Sequence, residues 1–405
     1  MRIEKITIYN LKIPFVRPVR HSLFSRTATE SLVVVLHDRD GRCGFGEGTP
    51  REYVTGETLA DSLSAAATLA ADLLASPCET FAELTALLAA VGTPEVIAAH
   101  PAAFCALETA ALDLWSRRAD RPIYRLFMAG REAREVVYSG VIPAVDKAEE
   151  FAKYTALVKQ LRLRFIKLKV SDPERGISQI QGLRNSLGPA IDIRIDANAA
   201  FSADTAIQFS RRAKKFGVSA MEQPVAKDDL AGMKRVSGSS EIPIIADESM
   251  YTARGPLYLI ENRICHGLNI RLSSCGGFRR AREIYRLAQA RKMLTMLGAH
   301  VGETAVLSLA GRHLAMLMPK VSYLEGSFSR YVLAEDLVDA DVAFGPGGAA
   351  PVPTGPGLGI AVTAAAIEKW SQQYACLRVR TGNGRIVIMR SPSPAHIGDR
   401  PCRCG

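Results

Sequence analysis

Residues 165–249 read FIKLKVSDPERGISQIQGLRNSLGPAIDIRIDANAAFSADTAIQFSRRAKKFGVSAMEQPVAKDDLAGMKRVSGSSEIPIIADES. Four short β-type runs stand out: Phe165–Val170, Ile191–Asp196, Ser219–Glu222 and Ile242–Asp247. Each ends in polar residues, and each is followed by apolar residues at helical spacing. The alternation continues on both sides. Val137–Val141 precedes it, and Gly267–Leu272, Leu294–Leu297 and Ser322–Glu325 follow. Eight strands in βα alternation predict a closed parallel barrel of the α/β class.

One polar residue stands at or just past the end of each strand from the second onward. They are Lys169, Asp196, Glu222, Asp247, Ser274, His300 and Glu325, at intervals of 27, 26, 25, 27, 26 and 25. One βα unit per interval places all seven on the C-terminal rim, where such barrels keep their chemistry. Asp196, Glu222 and Asp247 end consecutive strands. Three convergent carboxylates repel one another unless a cation lies between them, and oxygen-only ligation suits Mg²⁺ better than zinc. Any one of these acids alone fits a helix N-cap; three at matched spacing favour the metal. Lys167 and Lys169 lie two residues apart, so they share a face. Inside the barrel, their mutual repulsion and a nearby metal favour a neutral amine that can act as a base. On an open rim they are ordinary solvated lysines.

Upstream, the strands Ile3–Tyr9, Glu30–His37 and Gly44–Glu47 precede Ala-rich helices near Leu59–Ala75 and Ala102–Arg118. Strands followed by helices read as an α+β unit, residues 1–130, ahead of the barrel at 131–325. A Gly/Pro-rich return segment, 326–380, holds a short helix near Ala364–Tyr374. From Thr381 to Gly405 the chain is polar and Arg-rich and is predicted to be disordered.

Composition narrows the function classes. The chain has 405 residues, 48% hydrophobic and 23% charged, which is ordinary for a globular protein. The formal net charge is +10, yet residues 378–405 hold six arginines and one acid, which is half of it. The body carries too small an excess for a nucleic-acid binder. No signal-type or membrane-spanning apolar run occurs, which predicts a cytoplasmic protein with no membrane partner. The scattered cysteines predict reduced, buried thiols. Cys402 and Cys404 lack zinc-pair spacing.

The motifs KLK (167–169), DAN (196–198), MEQP (221–224) and ADES (246–249) resemble the enolase superfamily, in its muconate-lactonizing-enzyme subgroup. GEGTPREY (46–53), ETAALDLW (108–115), GG (276–277), VGET (301–304) and PGLG (356–359) fit the same pattern. The resemblance runs from residue 1 to about 375. It implies a TIM-type barrel under an N-terminal α+β capping domain, completed by the C-terminal segment. It also implies Mg²⁺, with Mn²⁺ able to stand in, held by Asp196, Glu222 and Asp247. The implied reaction removes a proton α to a carboxylate of a small-molecule substrate. Lys169 is the implied base and Lys167 its partner. Two capping loops, with Arg17, Arg20, His21 and Ser25 on one and Arg51, Glu52 and Tyr53 on the other, suit an anionic substrate. Asn198, Arg271, Ser274 and Glu325 complete the expected substrate-facing set. Barrels of this family commonly associate into homo-oligomers.

One motif departs from the pattern. The resemblance places a second acid/base lysine on the sixth strand, near Gly-Gly. The run here is NIRLSSCGG (269–277), with Ser274 at that place. Serine cannot act as an unaided general base, and the neighbouring Arg271 stays protonated. A one-lysine reaction, cycloisomerisation or syn dehydration, is the leading expectation. An epimerase or racemase using Lys169 and His300 is the alternative. Arg271 then lowers the pKa of the nearby imidazole. Glu325 either holds a substrate ammonium or bonds a neighbouring amide. A degenerate member that binds carboxylates without turnover is the third reading.

Overall fold

The structure is a computed structural model that describes residues 1–20, 25–128, 135–379 and 386–391. Eight strands form one sheet in sequence order: Gly140–Ile142, Phe165–Lys169, Asp192–Asp196, Val218–Glu222, Ile244–Ala246, Gly267–Arg271, Leu294–Gly298 and Tyr323–Leu324. Every pairing between neighbours is parallel. The Ser139 N–H, just ahead of the first strand, donates to Leu324 O in the eighth at 2.8 Å and joins the two edges.

Several of the intervening helices begin at side-chain caps. Asp172, Ser202 and Asp229 each accept an N–H from the first turn of the helix that follows. The rim acids Asp196, Glu222 and Asp247 do not serve as those caps, which removes the N-cap reading. The helices turn residues such as Ile177, Ile180 and Leu183 towards the outward-facing Ile193 and Ile195, all buried. Each such Ile or Leu contributes about 2–5 kcal/mol against truncation to Ala. The inner face is different. It holds a small separate cluster of Ala220, Ile245 and Met296, with Tyr323 against it. Alternation along each strand sends the charged residues above this floor.

The N-terminal unit is a sheet of Ile3–Arg20, Ser25–Asp38 and Cys43–Gly48, backed by the helices Leu59–Ala75 and Pro101–Arg118. The glycines of CGFGEG allow a close approach. A Cβ on Gly44, Gly46 or Gly48 would stand 2.0–2.3 Å from the carbonyls of Ala110, Ala106 and Ala102 in turn. Three acids tie this unit to later parts of the chain. Glu47 accepts the Thr304 hydroxyl at 2.6 Å and the Thr304 and Leu307 amides, so it caps the barrel helix Ala305–Leu317. Glu108 accepts the amides of Phe278 and Arg279, capping Phe278–Ala290. Asp113 accepts the amides of Phe45 and Leu358. Gly277, at φ +97°, leaves the space that Glu108 fills.

Three boundaries differ from expectation. Val136–Val137 pairs with Ala349–Ala350, so the first barrel strand starts later, at Gly140. The late helix stops at Trp370, and Ser371–Val379 becomes a strand of the N-terminal sheet, antiparallel to Ile3–Arg20. Ile386–Ser391 is also a strand, paired with Ser371–Val379, where disorder was expected. The IVIM run at 386–389 is the cause, masked by the arginines around it in a composition average. The rest of that tail, with Cys402 and Cys404, lies outside the described residues. Cys43, Cys78, Cys105, Cys265, Cys275 and Cys376 are buried and form no disulfide among the described residues. Among the described residues no helix is long and apolar enough to cross a membrane.

Burial pushes the Glu108 carboxyl up to about 7, against the pull of its two amides. The unfolded chain releases this proton at the ordinary, lower pKa, so the contribution of Glu108 to stability falls as pH rises towards 7. The stability difference between wild type and Glu108→Gln, measured by urea unfolding, should therefore shrink between pH 5 and pH 8. A constant or growing difference would contradict this.

Candidate active site

Register builds the site. Lys167 pairs with Arg194, Lys169 with Asp196, and Asp196 with Glu222. The Lys167 ammonium lies 3.3 Å from Asp196 Oδ2, 3.2 Å from Glu222 Oε2 and 2.8 Å from Glu325 Oε2. Burial alone would lower its pKa. The carboxylates of Glu222, Glu325 and Asp196 outweigh burial and hold the group charged, well above the ordinary lysine range. The expected crowding of two lysines into a neutral amine therefore does not apply to Lys167. Lys169 Nζ donates to Asn198 Oδ1 at 2.9 Å and stands 3.8 Å from Asp196 Oδ2.

Burial acts on each acid, and the cations decide the outcome. Burial raises Asp196, but Lys167 and Lys169 bring it well below the usual carboxylate range. Glu222 is pushed by burial up to about 8, with Lys167 offsetting only part. Asp247 is pushed by burial up to about 6, against Arg271. Asn269 Nδ2 donates to Glu222 Oε1 at 2.7 Å.

Arg271, not Ser274, ends the sixth strand. Its Nε donates to Asp247 Oδ1 at 2.8 Å, and its Nη2 bonds Oδ2. Ser274 lies three residues beyond, with its Oγ 2.7 Å from His300 Nε2. The even spacing of the polar ladder had drawn the sixth position past the strand end. Burial, then Arg271, Arg51 and Arg26, hold the His300 imidazole well below its ordinary range. His300 is thus neutral at physiological pH.

Glu325 departs from both of its expected uses. Its oxygens go to Lys167 and to Arg194 Nη2, so a substrate ammonium would have to displace the protein's own cations. Arg51 is buried and donates to the carbonyls of Glu30, Pro50 and Val301. It orders the loop at 46–53 and acts on the site through its charge. Tyr53 is partly buried. Burial raises its phenol, while Arg51, Arg271 and Arg26 pull it down, which places it on the site side of that loop. His21 lies outside the described residues.

Sequence reasoning missed Arg194. It is fully buried, its guanidinium 4.7 Å from the Tyr323 ring centroid and its Nη1 2.9 Å from Ser139 Oγ. The signal was present: Arg194 precedes Asp196 by two residues, on the same face. Asn269, two residues before Arg271, carried the same signal.

The donor set fits a divalent cation. Asp196, Glu222 and Asp247 offer only oxygen, and Asp196 Oδ2 is buried with no hydrogen-bond partner. Repulsion from Asp196, Glu325 and Asp247 adds to burial in raising Glu222, so the cluster favours added positive charge. Lys167 and Arg271 stand between the acids. Among the described residues, no three His, Cys, Asp or Glu side chains gather closely enough to hold a metal.

Removing one member of a buried ion pair strands its partner. Arg194→Met should cost about 3 kcal/mol in urea unfolding. Adding Glu325→Gln should cost much less than its effect alone. Strict additivity would show that the two residues are not coupled.

Comparison with known proteins agrees with the geometry. The family described as Mandelate racemase / muconate lactonizing enzyme, N-terminal domain, matches residues 4–127, and Enolase C-terminal domain-like matches 148–366. The L-Ala-D/L-Glu epimerase of Bacillus subtilis is 28% identical, over 89% of this chain and 97% of that protein. Muconate cycloisomerase 1 of Rhodococcus opacus is 26% identical, over 89% and 96%. Among solved structures, the dipeptide epimerase of Enterococcus faecalis, complexed with Mg and the dipeptide L-Leu-L-Tyr, superposes with a TM-score of 0.79. It is 25% identical, over 89% of this chain and 99% of that one. With both family descriptions matched in order and the rim motifs on consecutive strand ends, the chain belongs to the enolase superfamily, in its muconate-lactonizing-enzyme subgroup.

Proposed function

We propose that this chain is a Mg²⁺-dependent isomerase that inverts the α-carbon of an amino-acid-derived carboxylate, such as a dipeptide or an N-acyl amino acid. One observation carries the reading. Two groups able to exchange protons stand on different arcs of the rim: Lys169 at the end of the second strand, and neutral His300 just past the seventh. The metal-type acids lie on the third to fifth strands. Relatives that act as epimerases support it.

Lys169 takes the α-proton on one face through the amine form of its Nζ, which a bond to Asn198 Oδ1 orients. His300 exchanges the proton on the other, with Ser274 fixing its Nε2. Asp196, Glu222 and Asp247 would hold Mg²⁺, which when bound would supply positive charge to stabilise a carboxylate whose α-proton has left. Lys167 stays charged and positions Asp196 and Glu222. Arg26 and Arg51 make the cap side of the site basic and suit an anionic substrate, and the Tyr53 phenol adds a neutral donor.

A second reading rests on Arg271. A permanent cation occupies the sixth-strand end, so a reaction confined to the Lys169 face, cycloisomerisation or syn dehydration, is its natural use.

Solvent-deuterium exchange over a library of dipeptides and N-acyl amino acids, with Mg²⁺, separates the two. The isomerase reading expects deuterium in both antipodes. Lys169→Ala should slow exchange from one antipode by about 10²–10⁴-fold, and His300→Asn should do so for the other. Exchange from a single antipode without inversion would select the one-face reading. No exchange, with stabilisation by carboxylates retained, would select the binding-only reading. A second expectation concerns pH. Because His300 titrates well below 6.5, its base form persists as pH falls, and exchange on its face should show no loss between pH 7.5 and 6 attributable to it. A limb near 6.5 that vanishes in His300→Asn would refute this.

A further inference from the structure

Two of the three metal-type carboxylates differ sharply in what already holds them. Asp196 Oδ2 is buried without a hydrogen bond and faces the ammonium groups of Lys167 at 3.3 Å and Lys169 at 3.8 Å. Both oxygens of Asp247 are bonded by one guanidinium. Arg271 Nε donates to Oδ1 at 2.8 Å, and Nη2 bonds Oδ2. The same guanidinium donates from Nη1 to Ala299 O at 2.6 Å, and its Nη2 lies 3.7 Å from Glu222 Oε1. All five N–H groups belong to a planar fork matched to a carboxylate, and the group does not deprotonate in proteins. A lysine at this place would offer a single point charge that could swing aside or lose its proton. Arg271 can leave Asp247 only by moving.

Resting on the metal reading proposed above, we infer that Arg271 is a built-in competitor for the divalent cation. It holds both oxygens of Asp247 when no ion is bound, so an ion that takes this ligand does so against the charge and the fork of Arg271.

The test is a titration of the full chain with Mn²⁺, reading the free-ion signal by electron paramagnetic resonance, with no substrate present. Arg271→Met should bind Mn²⁺ at least tenfold more tightly than wild type. Arg271→Lys, which keeps the charge and removes the fork, should bind at least threefold more tightly. Circular dichroism and gel filtration check that each variant is folded; if Arg271→Met fails to fold, the lysine variant decides. Equal affinity in wild type and Arg271→Lys would overturn the inference and leave the metal reading intact. If folded wild type and variants all fail to bind millimolar Mn²⁺, the metal reading falls and this inference falls with it.

Discussion

The barrel interior depends on one ammonium. Lys167 stands among Asp196, Glu222 and Glu325, all buried. Without it, three carboxylates would share a volume from which water is excluded, at a cost of several kcal/mol for each unpaired charge. Its place follows from the pleat. The residue two before Lys169 must share its face, and the parallel register sets it level with Arg194. Arg194 then balances Glu325 from below, with Ser139 and the Tyr323 ring packed against the guanidinium. The charged layer rests on a small apolar floor, so its groups are held by one another and by the strands.

A second set of acids acts as mortar between distant segments. Glu47, Glu108 and Asp113 bind backbone amides rather than cations alone. Each capped amide lies at or beside another of the motifs that carry the family resemblance: VGET for Glu47, Gly-Gly for Glu108 and PGLG for Asp113. These motifs make physical sense as pairs. One member supplies a carboxylate, and the other supplies a helix start or a turn with free N–H groups. The paired motifs tie the cap to two barrel helices and to the C-terminal return.

Most of the fold was legible because period and spacing determine it. The eight strands and the acids at their ends follow from alternation alone, and the structure moves only a few boundaries. Positions were legible where they depend on a residue's own strand, as for Lys169, Asp196 and Glu222 at strand ends and Asp247 just past one. It was less legible where the role depends on a partner from another strand. Arg194, Asn269 and the fork between Arg271 and Asp247 are cross-strand events. Ser274 was placed by even spacing, although the sixth strand ends at Arg271. Glu325 was expected to face a ligand. Two basic partners, one of them overlooked in the sequence, occupy it instead. The strand at 386–391 was hidden because a charge count averages over a short apolar run.

The N-terminal sheet has a consequence for how the chain is made. Its first strand pairs on one side with Ser25–Asp38 and on the other with Ser371–Val379, so Lys5 sits opposite Arg378. The contacts on the second side span nearly the whole chain length. During synthesis the barrel strands emerge while that edge still awaits its partner. An unpaired apolar edge that persists so long is exposed to wrong pairings. Contacts of such separation also form slowly, because a long loop must close before they can reward it. The cap should thus be the last part of this protein to become native, and the site beneath it is complete only when the far end of the chain has returned to the beginning.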